Sequence, residues 1–421
     1  MLVLIIIGMF FAVLLLPLRH AFGVNLAATF LFIVPNGFDI TTYLFLLLFI
    51  RLLVLKVLTR QKIKYDEFII LFVIFLFFAI LSYLLFQGEE GVQYLRRFFM
   101  TIIIILLFVN IFKSINDLKL FINYFLAGVL LLSMHLLTQT LIPINPLAEA
   151  VFSSREGRLL PRGFANQYVN PNNMGSLLVW GFGLVMGFYN LFYFKYFVTY
   201  SNKQKFRLQV LGIFLLINIS ILIGMLGSRA NFVVLLIITV IILFKLNLTK
   251  KPIKIIVIGY LFLVFIGPIL LSSMNQISRL SPNNIFAPVV NRLIDSEDEI
   301  ENSSYSRSRL ASHGLMLFIK NPIFGVGIGN EATKIDEMIR LKMVSHNTYV
   351  SLLSEMGIIG ILFLITTIFI WIPYLKINFT ISILFMIGAY ASFHNIILMS
   401  IPWLIMSFTK RSYYLSINKK N

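Results

Sequence analysis

The sequence predicts an all-α polytopic membrane protein, and three observations support this prediction. Of the 421 residues, 59% are hydrophobic and only 12% are charged, and the mean hydropathy is +0.92. A soluble protein of this length cannot bury so many apolar side chains. The apolar residues also fall into runs long enough to cross about 30 Å of hydrocarbon as helices. Lysine-rich segments follow alternate runs, as in proteins whose loops alternate between the two sides of a membrane.

Twelve apolar runs are predicted to be transmembrane helices. They cover residues 2–18, 38–55, 68–86, 98–112, 118–141, 174–194, 208–226, 232–244, 253–271, 349–375, 377–396 and 397–408. No small-residue cleavage site follows the first run, so we expect a membrane anchor rather than a signal peptide. Residues 22–34 are apolar but short, and they end at Pro35-Asn36-Gly37, which favours a re-entrant or interfacial segment.

The runs divide the chain into three parts. Residues 1–273 hold the first nine helices, with an outer loop at 142–173. Residues 274–345 form a large extracytoplasmic loop, and residues 346–421 hold the last three helices and a cytoplasmic tail.

The large loop has three recognisable segments. An acidic run at 295–301 is predicted to form a solvated loop tip. Residues 306–320 have the pattern of an amphipathic helix, which Asn321-Pro322 ends. The string Gly325-Val326-Gly327-Ile328-Gly329 then follows, but it lacks the strand and the lysine of a phosphate-binding loop, so no nucleotide site is predicted there.

Lysine and arginine are distributed differently between the two sets of loops. The lysine-rich set, which we expect to be cytoplasmic together with both termini, holds Lys56, Arg60, Lys62, Lys64, Lys113, Lys119, Lys195, Lys203, Lys205, Arg207, Lys245, Lys250, Lys251, Lys254, Lys376, Lys410, Arg411, Lys419 and Lys420. The opposite set has only three lysines, and its arginines are Arg19, Arg96, Arg97, Arg155, Arg158, Arg162, Arg229, Arg279, Arg292, Arg307, Arg309 and Arg340.

The outer arginines indicate an anionic ligand. A guanidinium group binds phosphate in a bidentate manner, so a pyrophosphate on a lipid carrier fits this face. The alternative is that these arginines extend to lipid headgroups or pair with Glu156, Asp295, Glu297, Asp298, Glu299 and Glu301. Nucleic acid is not expected as a partner, because the basic residues are divided between two faces and no aromatic platform accompanies them.

No cofactor or metal ion is predicted. The chain has no cysteine, which excludes a disulfide framework, a thiol nucleophile and a cysteine metal site. The histidines, including His20, His135 and His394, do not have the spacing of a zinc site.

His346 is the strongest candidate for a catalytic residue. It lies where the polar stretch 274–345 meets the apolar run 349–375, at the edge of the predicted membrane. A histidine has an unperturbed pKa of about 6.5 and can accept a hydroxyl proton near neutral pH. The alternative is an interfacial residue that caps the following helix. After His346 we expect the helix to continue through Gly360, which places Glu355 about two and a half turns further inward.

Two other outer segments carry unusual residues for a membrane boundary. Arg162 and the turn-rich string Asn170-Pro171-Asn172 precede the sixth predicted span. Gly227-Ser228-Arg229-Ala230-Asn231 is the whole connection between the seventh and eighth spans, so Arg229 is held at the membrane edge. An arginine at that position is costly unless it faces a polar cavity.

These segments together resemble the O-antigen ligase and polymerase family of bacterial membrane glycosyltransferases. The resemblance rests on Arg162-Gly163-Phe164, Asn170-Pro171-Asn172, Gly227-Ser228-Arg229, Asn321-Pro322-Ile323-Phe324-Gly325-Val326-Gly327, His346-Asn347-Thr348-Tyr349 and Glu355-Met356-Gly357-Ile358-Ile359-Gly360. The motifs occur in the family's order and on its expected side of the membrane.

The resemblance implies a GT-C-like architecture and a metal-independent, inverting reaction at the outer face of the bacterial cytoplasmic membrane. A glycan would leave undecaprenyl-pyrophosphate and join a hydroxyl group of an acceptor. The family also leads us to expect a flippase and a chain-length regulator as partner proteins. We expect no cofactor, and the bilayer itself is the remaining partner.

The resemblance also implies roles for individual residues. His346 corresponds to the histidine that assists the acceptor hydroxyl, and Arg229 to the arginine of the short turn. Arg307 corresponds best to the arginine before the loop helix, with Arg309 as the alternative, because Ala311 or His313 stands where many members carry tryptophan. His313 is a second titratable candidate, although we expect it in a solvent-facing loop. The remaining expected substrate contacts are Arg162, Asn172, Asn347 and Glu355.

Three functions remain open at this point. A polymerase adds the growing chain to a lipid-linked repeat unit, whereas a ligase moves a finished chain to lipid A-core or protein. The composition, rich in Lys, Ile, Asn and Phe, is typical of AT-rich genomes, which are common among bacteria without lipid A, and therefore favours a polymerase. The third function is transport of an anionic lipid-linked glycan, but transporters often contain paired repeats and none is evident in the sequence.

Overall fold

The structure is a computed structural model that describes residues 2–31, 40–141, 151–153, 158–160, 171–193, 201–226, 228–245, 296–345, 347–376, 378–391 and 399–418. In these ranges the chain is almost entirely helical. The exception is a short antiparallel hairpin of β1 (Val151–Ser153) and β2 (Arg158–Leu160), in which Val151 is paired with Leu160. His346, Arg162 and the predicted span 253–271 lie outside the described residues.

The described residues form fourteen α-helices. Those before residue 200 are α1 (Leu2–Leu15), α2 (Leu18–Thr29), α3 (Ile40–Leu58), α4 (Glu67–Phe86), α5 (Gly91–Ile111), α6 (Ile115–Leu141) and α7 (Pro171–Gly187), which continues as a π-helix (Phe188–Tyr193). Those after it are α8 (Asn202–Met225), α9 (Arg229–Lys245), α10 (Ser296–Lys320), α11 (Glu331–Ile339), α12 (Thr348–Trp371), α13 (Asn378–Ala391) and α14 (Ser400–Asn418). A 3-10 helix (Ile372–Lys376) extends α12.

Seven helical segments in the described ranges are long and apolar enough to cross a membrane, and each matches a predicted span. They are Ile40–Leu58, Glu67–Phe86, Gly91–Ile111, Ile115–Thr138, Asn172–Tyr193, Phe206–Ile223 and Thr348–Lys376. Three further predicted spans correspond to shorter apolar helices, Ile6–Leu15, Asn231–Val240 and Phe379–Ala389. The protein is therefore a helical membrane protein, while the number of twelve spans and the GT-C-like architecture stay predictions.

The first predicted span is interrupted at Pro17. Proline has no backbone N–H, so the carbonyl of Val13 cannot receive the usual helical hydrogen bond from position 17. Arg51 of α3 donates to this carbonyl at 2.6 Å and to that of Leu16 at 2.7 Å. The chain resumes as α2, a largely buried helix of 12 residues that packs against α6. Its length agrees with the prediction that this region does not span the membrane.

One end of the helix bundle gathers the predicted cytoplasmic loops, and we call it the lysine-rich end. Asn110 exchanges two hydrogen bonds with the backbone of Lys64, at 2.9 and 2.8 Å. The Nη2 of Arg411 donates to the carbonyl of Lys113 at 2.9 Å, and the ammonium of Lys119 lies 5.5 Å from the centre of the Tyr193 ring. Which face of a membrane this end meets stays a prediction.

Arg19 does not follow the predicted separation of the two ends. Its guanidinium lies 3.4 Å from the carboxylate of Asp117, which also accepts from the backbone N–H of Lys113. Arg19 therefore shares the lysine-rich end with Lys113, so the prediction that these two residues lie on opposite sides is wrong. The break at Pro17 is the reason, because α1 ends at this end and α2 starts there. Because α1 ends at the lysine-rich end, it starts away from that end. It therefore does not support the predicted cytoplasmic position of the N-terminus.

Aromatic packing holds α4, α12 and α14 together through the thickness of the bundle. The Phe75 and Phe363 rings lie 4.2 Å apart, and the rings of Phe72 and Trp403 lie 4.8 Å apart in an edge-to-face arrangement. The rings of Phe68 and Trp371 pack at 5.6 Å, nearer the lysine-rich end. These pairs show that α12 runs antiparallel to α4 and starts beyond the other end of that helix.

The loop helix is longer than predicted. It begins at Ser296 rather than at residue 306, so residues 296–301 of the acidic run assigned to a loop tip lie in its first turns. That assignment is wrong, because acidic residues are stabilising in the first turn of a helix, where the backbone dipole is positive. The predicted end is confirmed, since α10 ends at Lys320, directly before Asn321-Pro322.

Candidate functional site

The site is assembled where α12 begins, at the end of the bundle opposite the lysine-rich end. Asn347 is the N-cap of α12, and its Oδ1 accepts hydrogen bonds from the backbone N–H groups of Tyr349, at 3.0 Å, and Val350, at 3.2 Å. This is the preferred use of asparagine at a helix start. The capping role that was the alternative for His346 thus belongs to Asn347. His346 stands between Asn347 and Ser345, which are both described.

The α12 helix is broken at Gly357, so the prediction of a continuous helix from His346 through Gly360 is wrong. Gly357 has φ 58° and ψ −137°, a conformation that glycine adopts readily and other residues avoid. A methyl group there would come within 2.6 Å of the carbonyl oxygens of Pro322 and Ile323. The break admits another segment of chain.

That segment is the glycine-rich loop, residues 321–330, which docks into the break by backbone hydrogen bonds. The N–H groups of Val326 and Gly327 donate to the carbonyls of Ser354, at 2.7 Å, and Glu355, at 3.1 Å. The N–H of Ile358 donates to the carbonyl of Pro322 at 2.8 Å. The loop therefore satisfies backbone groups that the break in α12 would leave unpaired.

The other side of the glycine-rich loop is attached to α4 and α5. The N–H of Ile328 donates to the Ser82 hydroxyl at 3.1 Å, and the Asn330 amide donates to the carbonyl of Phe86 at 3.3 Å. Gly325, Gly327 and Gly329 all have positive φ, at 66°, 94° and 77°. The three glycines thus allow the loop to lie close to its neighbours inside the bundle. This packing role explains why the glycine string resembles a phosphate-binding loop in sequence.

Glu355 contacts the glycine-rich loop and α11. It is 6% exposed, and its carboxylate faces the backbone N–H groups of Gly329 and Glu331. Glu331 is the first residue of α11, so Glu355 stabilises the positive end of that helix. The predicted contact between Glu355 and substrate stays a prediction, and the contacts described here are structural.

A second buried carboxyl group, Glu331, was not predicted as a site residue. It is fully buried, and its Oε2 accepts a hydrogen bond from the Ser351 hydroxyl at 2.7 Å. Burial raises the pKa of Glu331, and the hydrogen bond from Ser351 offsets part of this effect. The only feature of the sequence that could have indicated Glu331 is its position at the start of a helix. Acidic residues at such positions are usually exposed.

The arginine and histidine candidates of the large loop are spread along α10. Arg309 is exposed, and for Arg307 the structure describes only the backbone. His313 is partly buried on this helix, so its assignment to a solvent-facing loop is wrong. Its neighbour Gly314 faces α12 and α11, because a methyl group there would lie 2.5 Å from Val350 Cγ1 and 3.1 Å from Glu331 Oε1.

The two other predicted outer segments are brought together at the starts of α7 and α9. The Asn231 amide donates to the carbonyl of Asn172 and to the Ser228 hydroxyl, both at 2.8 Å. Gly175 allows this approach, since a methyl group at that position would lie 2.5 Å from Asn231 Nδ2. Arg229 is the first residue of α9, which places its backbone at this junction.

The start of α12 is connected to this junction through α13. The Tyr349 hydroxyl donates to the carbonyl of Gly388 in α13 at 3.4 Å. Further along α13, Met386 fits between Gly183 of α7 and α9, where a methyl group on Gly183 would meet both Met386 Sδ and Ile238 Cγ1. Because α7 and α12 both lead towards the lysine-rich end, where Tyr193 lies by Lys119 and Trp371 by Phe68, their starts and that of α9 lie at the opposite end of the bundle.

Comparison with known proteins adds a family to this geometry. A search of curated proteins gives no match to the chain. Residues 211–365 match the family model described as O-antigen ligase. The matched segment contains Arg229, the glycine-rich loop, Glu331, His346 and Glu355. This match supports the assignment of residues 211–365 to the O-antigen ligase and polymerase family.

Proposed function

We propose that the protein is a polysaccharide polymerase of the bacterial cytoplasmic membrane. It transfers a growing glycan from undecaprenyl-pyrophosphate to a hydroxyl group of a lipid-linked repeat unit, at the outer face of the membrane and without a metal ion. The observation that supports this proposal most is that α7, α9 and α12 start at the same end of the bundle. These starts carry Asn172, Arg229 and Asn347, and the last two lie within the matched domain.

The donor half of the reaction requires positive charge. When the anomeric carbon separates from pyrophosphate, negative charge grows on the leaving group, and preorganised donors stabilise it. The first turns of α7 and α9 present backbone N–H groups and the positive ends of their dipoles, and Arg229 begins α9. Arg162 and either Arg307 or Arg309 are the further arginines that we assign to the pyrophosphate.

The acceptor half of the reaction requires a base. We assign this role to His346, which takes the proton from the attacking hydroxyl group. Its two neighbours have fixed positions, because Asn347 caps α12 and Ser345 is buried at 2% exposure. A base whose two neighbours are held in this way can act on an acceptor without a rearrangement of the helix.

A ligase is the second candidate, and the description of the matched family favours it. The chemistry at the donor would be the same in both functions. The difference is the acceptor, which is a lipid-linked repeat unit for a polymerase and lipid A-core or a protein for a ligase. A flippase that supplies the donor and a regulator of chain length are the protein partners that fit a polymerase.

The test is an assay of the purified protein in lipid vesicles with a lipid-pyrophosphate oligosaccharide as the only sugar substrate. A polymerase forms a ladder of longer lipid-linked glycans, whereas a ligase forms product only when lipid A-core or acceptor protein is added. The His346→Ala variant should lose turnover by a factor of about 10² to 10⁴. Full turnover by this variant would remove the assignment of the base, and loss only in His313→Ala would transfer it to α10.

A further inference from the structure

Glu331 is a buried carboxyl group that has no part in the reaction described above. Its residue is 0% exposed although it begins a helix of the large loop, a position where acidic side chains usually meet water. Burial of a carboxyl group is unfavourable unless hydrogen bonds compensate for the lost hydration. Here the compensation comes from serines of the segment that carries His346.

The hydrogen bonds lead from Glu331 through Ser351 to Ser345, which directly precedes His346. Ser351 Oγ donates to Glu331 Oε2 at 2.7 Å and lies 3.1 Å from Ser345 Oγ. The Ser345 hydroxyl also lies 3.4 Å from the carbonyl oxygen of Asn347, on the far side of His346. Ser345 and Ser351 are each 2% exposed, so water does not compete for these contacts.

Glu331 itself is held from several directions. The Glu355 carboxylate faces its backbone N–H, and a methyl group on Gly314 of α10 would lie 3.1 Å from its Oε1. The hydrogen bonds of the glycine-rich loop fix the residue before it, because the Asn330 amide binds the carbonyls of Phe86 and Val326. A buried ionisable group seldom stabilises a fold more than an apolar side chain of the same size would. Its presence here therefore calls for a reason other than stability.

We infer that Glu331 is a positioning residue for His346, and that it acts through Ser351 and Ser345. This inference rests on the proposed function, in which His346 accepts the proton of the acceptor. The carboxylate accepts from Ser351, Ser351 accepts from Ser345, and Ser345 directly precedes His346. A displacement of a reacting group by about 1 Å reduces the rate by about 10²-fold, so this chain of contacts is adequate to control turnover.

The test is a kinetic comparison of Glu331→Ala, Ser351→Ala and Glu331→Gln in the vesicle assay. The two alanine variants should lower kcat by about 10- to 100-fold and leave the KM of the lipid-pyrophosphate oligosaccharide unchanged. Glu331→Gln should keep most of the activity, because its amide oxygen still accepts from Ser351. The matched control is Glu337→Ala, on the exposed side of α11, where the carboxylate pairs with Lys334 at 2.7 Å.

The decisive measurement combines each change with His346→Ala. If Glu331 acts through His346, Glu331→Ala should cause no further loss in the His346→Ala background. Additive losses, or wild-type kcat in Glu331→Ala and Ser351→Ala, would overturn the inference. Thermal unfolding identifies a variant that does not fold, and Ser351→Ala, which removes a single hydroxyl group, then decides the matter. Full activity of His346→Ala would instead defeat the proposed function.

Discussion

The side-chain amide of Asn231 donates a hydrogen bond to the backbone carbonyl of Asn172, 2.8 Å away and 59 residues earlier in the chain. This contact joins the first turn of α9 to the first turn of α7. The two helices bring different predicted motifs to the same place, and Asn231 is fully buried between them. The position of Arg229, two residues earlier, depends on the same contact.

Asn231→Ala should therefore reduce both stability and turnover. Loss of the amide leaves the Asn172 carbonyl and the Ser228 hydroxyl without this donor, which costs about 1–3 kcal/mol of unfolding free energy for a buried group. Thermal unfolding in detergent and the vesicle assay would measure the two effects. Asn190→Ala is the control, since among the described residues the Asn190 amide bonds only within its own helix, to the carbonyl of Met186 at 2.9 Å. Equal effects in the two variants would contradict the prediction.

Gly357→Ala should abolish folded protein or nearly so. An alanine would have to adopt φ 58° with its methyl group 2.6 Å from two backbone oxygens of the glycine-rich loop. A straightened α12 would in turn exclude Val326 and Gly327 from their hydrogen bonds. Yield and monodispersity after purification are the measurement, with Gly8→Ala as the control because nothing lies within 4 Å of a methyl group there. Normal yield of Gly357→Ala would show that the break in α12 is dispensable.

Arg229→Lys should impair polymer synthesis nearly as much as Arg229→Ala. A lysine keeps the charge but cannot reproduce the bidentate contact of a guanidinium group with pyrophosphate. Arg279→Lys and Arg292→Lys should have mild effects by comparison. Product length in the vesicle assay, at matched amounts of protein in the membrane, is the measurement. Full synthesis by Arg229→Lys would remove the assignment of Arg229 to the pyrophosphate.

The two ends of the bundle should differ in their reaction with an impermeant thiol reagent. The chain has no cysteine, so Asn202→Cys and Asn302→Cys each introduce a single label site. Asn202 begins α8 in a lysine-rich segment, and Asn302 lies on α10. On intact cells or protoplasts we expect labelling at position 302 and protection at position 202. The reverse pattern would overturn the orientation.

The helices were largely predictable from the sequence because a membrane span imposes a simple requirement on length and hydropathy. Where that requirement competes with local chemistry, the prediction failed. Pro17 divides a run that appears continuous, and the acidic run after residue 295 favours a helix start over a loop tip. Both errors concern backbone hydrogen bonding, which a count of apolar residues does not measure.

The candidate site was predictable only in part. The motifs of Asn172, Arg229 and Asn347 were identified, and the structure gathers the starts of their helices at one end. The contacts of Glu331 could not be predicted, because Ser345 and Ser351 reach it only after α11 folds back on α12. Gly357 was noted as part of a motif, but its positive φ depends on a loop that arrives from about 30 residues earlier in the chain.

The docking of the glycine-rich loop means that the region between the ninth and tenth predicted spans is not an autonomous module. Val326, Gly327 and Ile328 donate their amide hydrogens to α12 and α4, and Ile328 is 1% exposed. Expressed alone, residues 296–345 would leave these groups unpaired and expose this side chain, so the fragment should not fold in isolation. Exchange of this region between relatives should accordingly succeed only when α4 and the first three turns of α12 are exchanged with it.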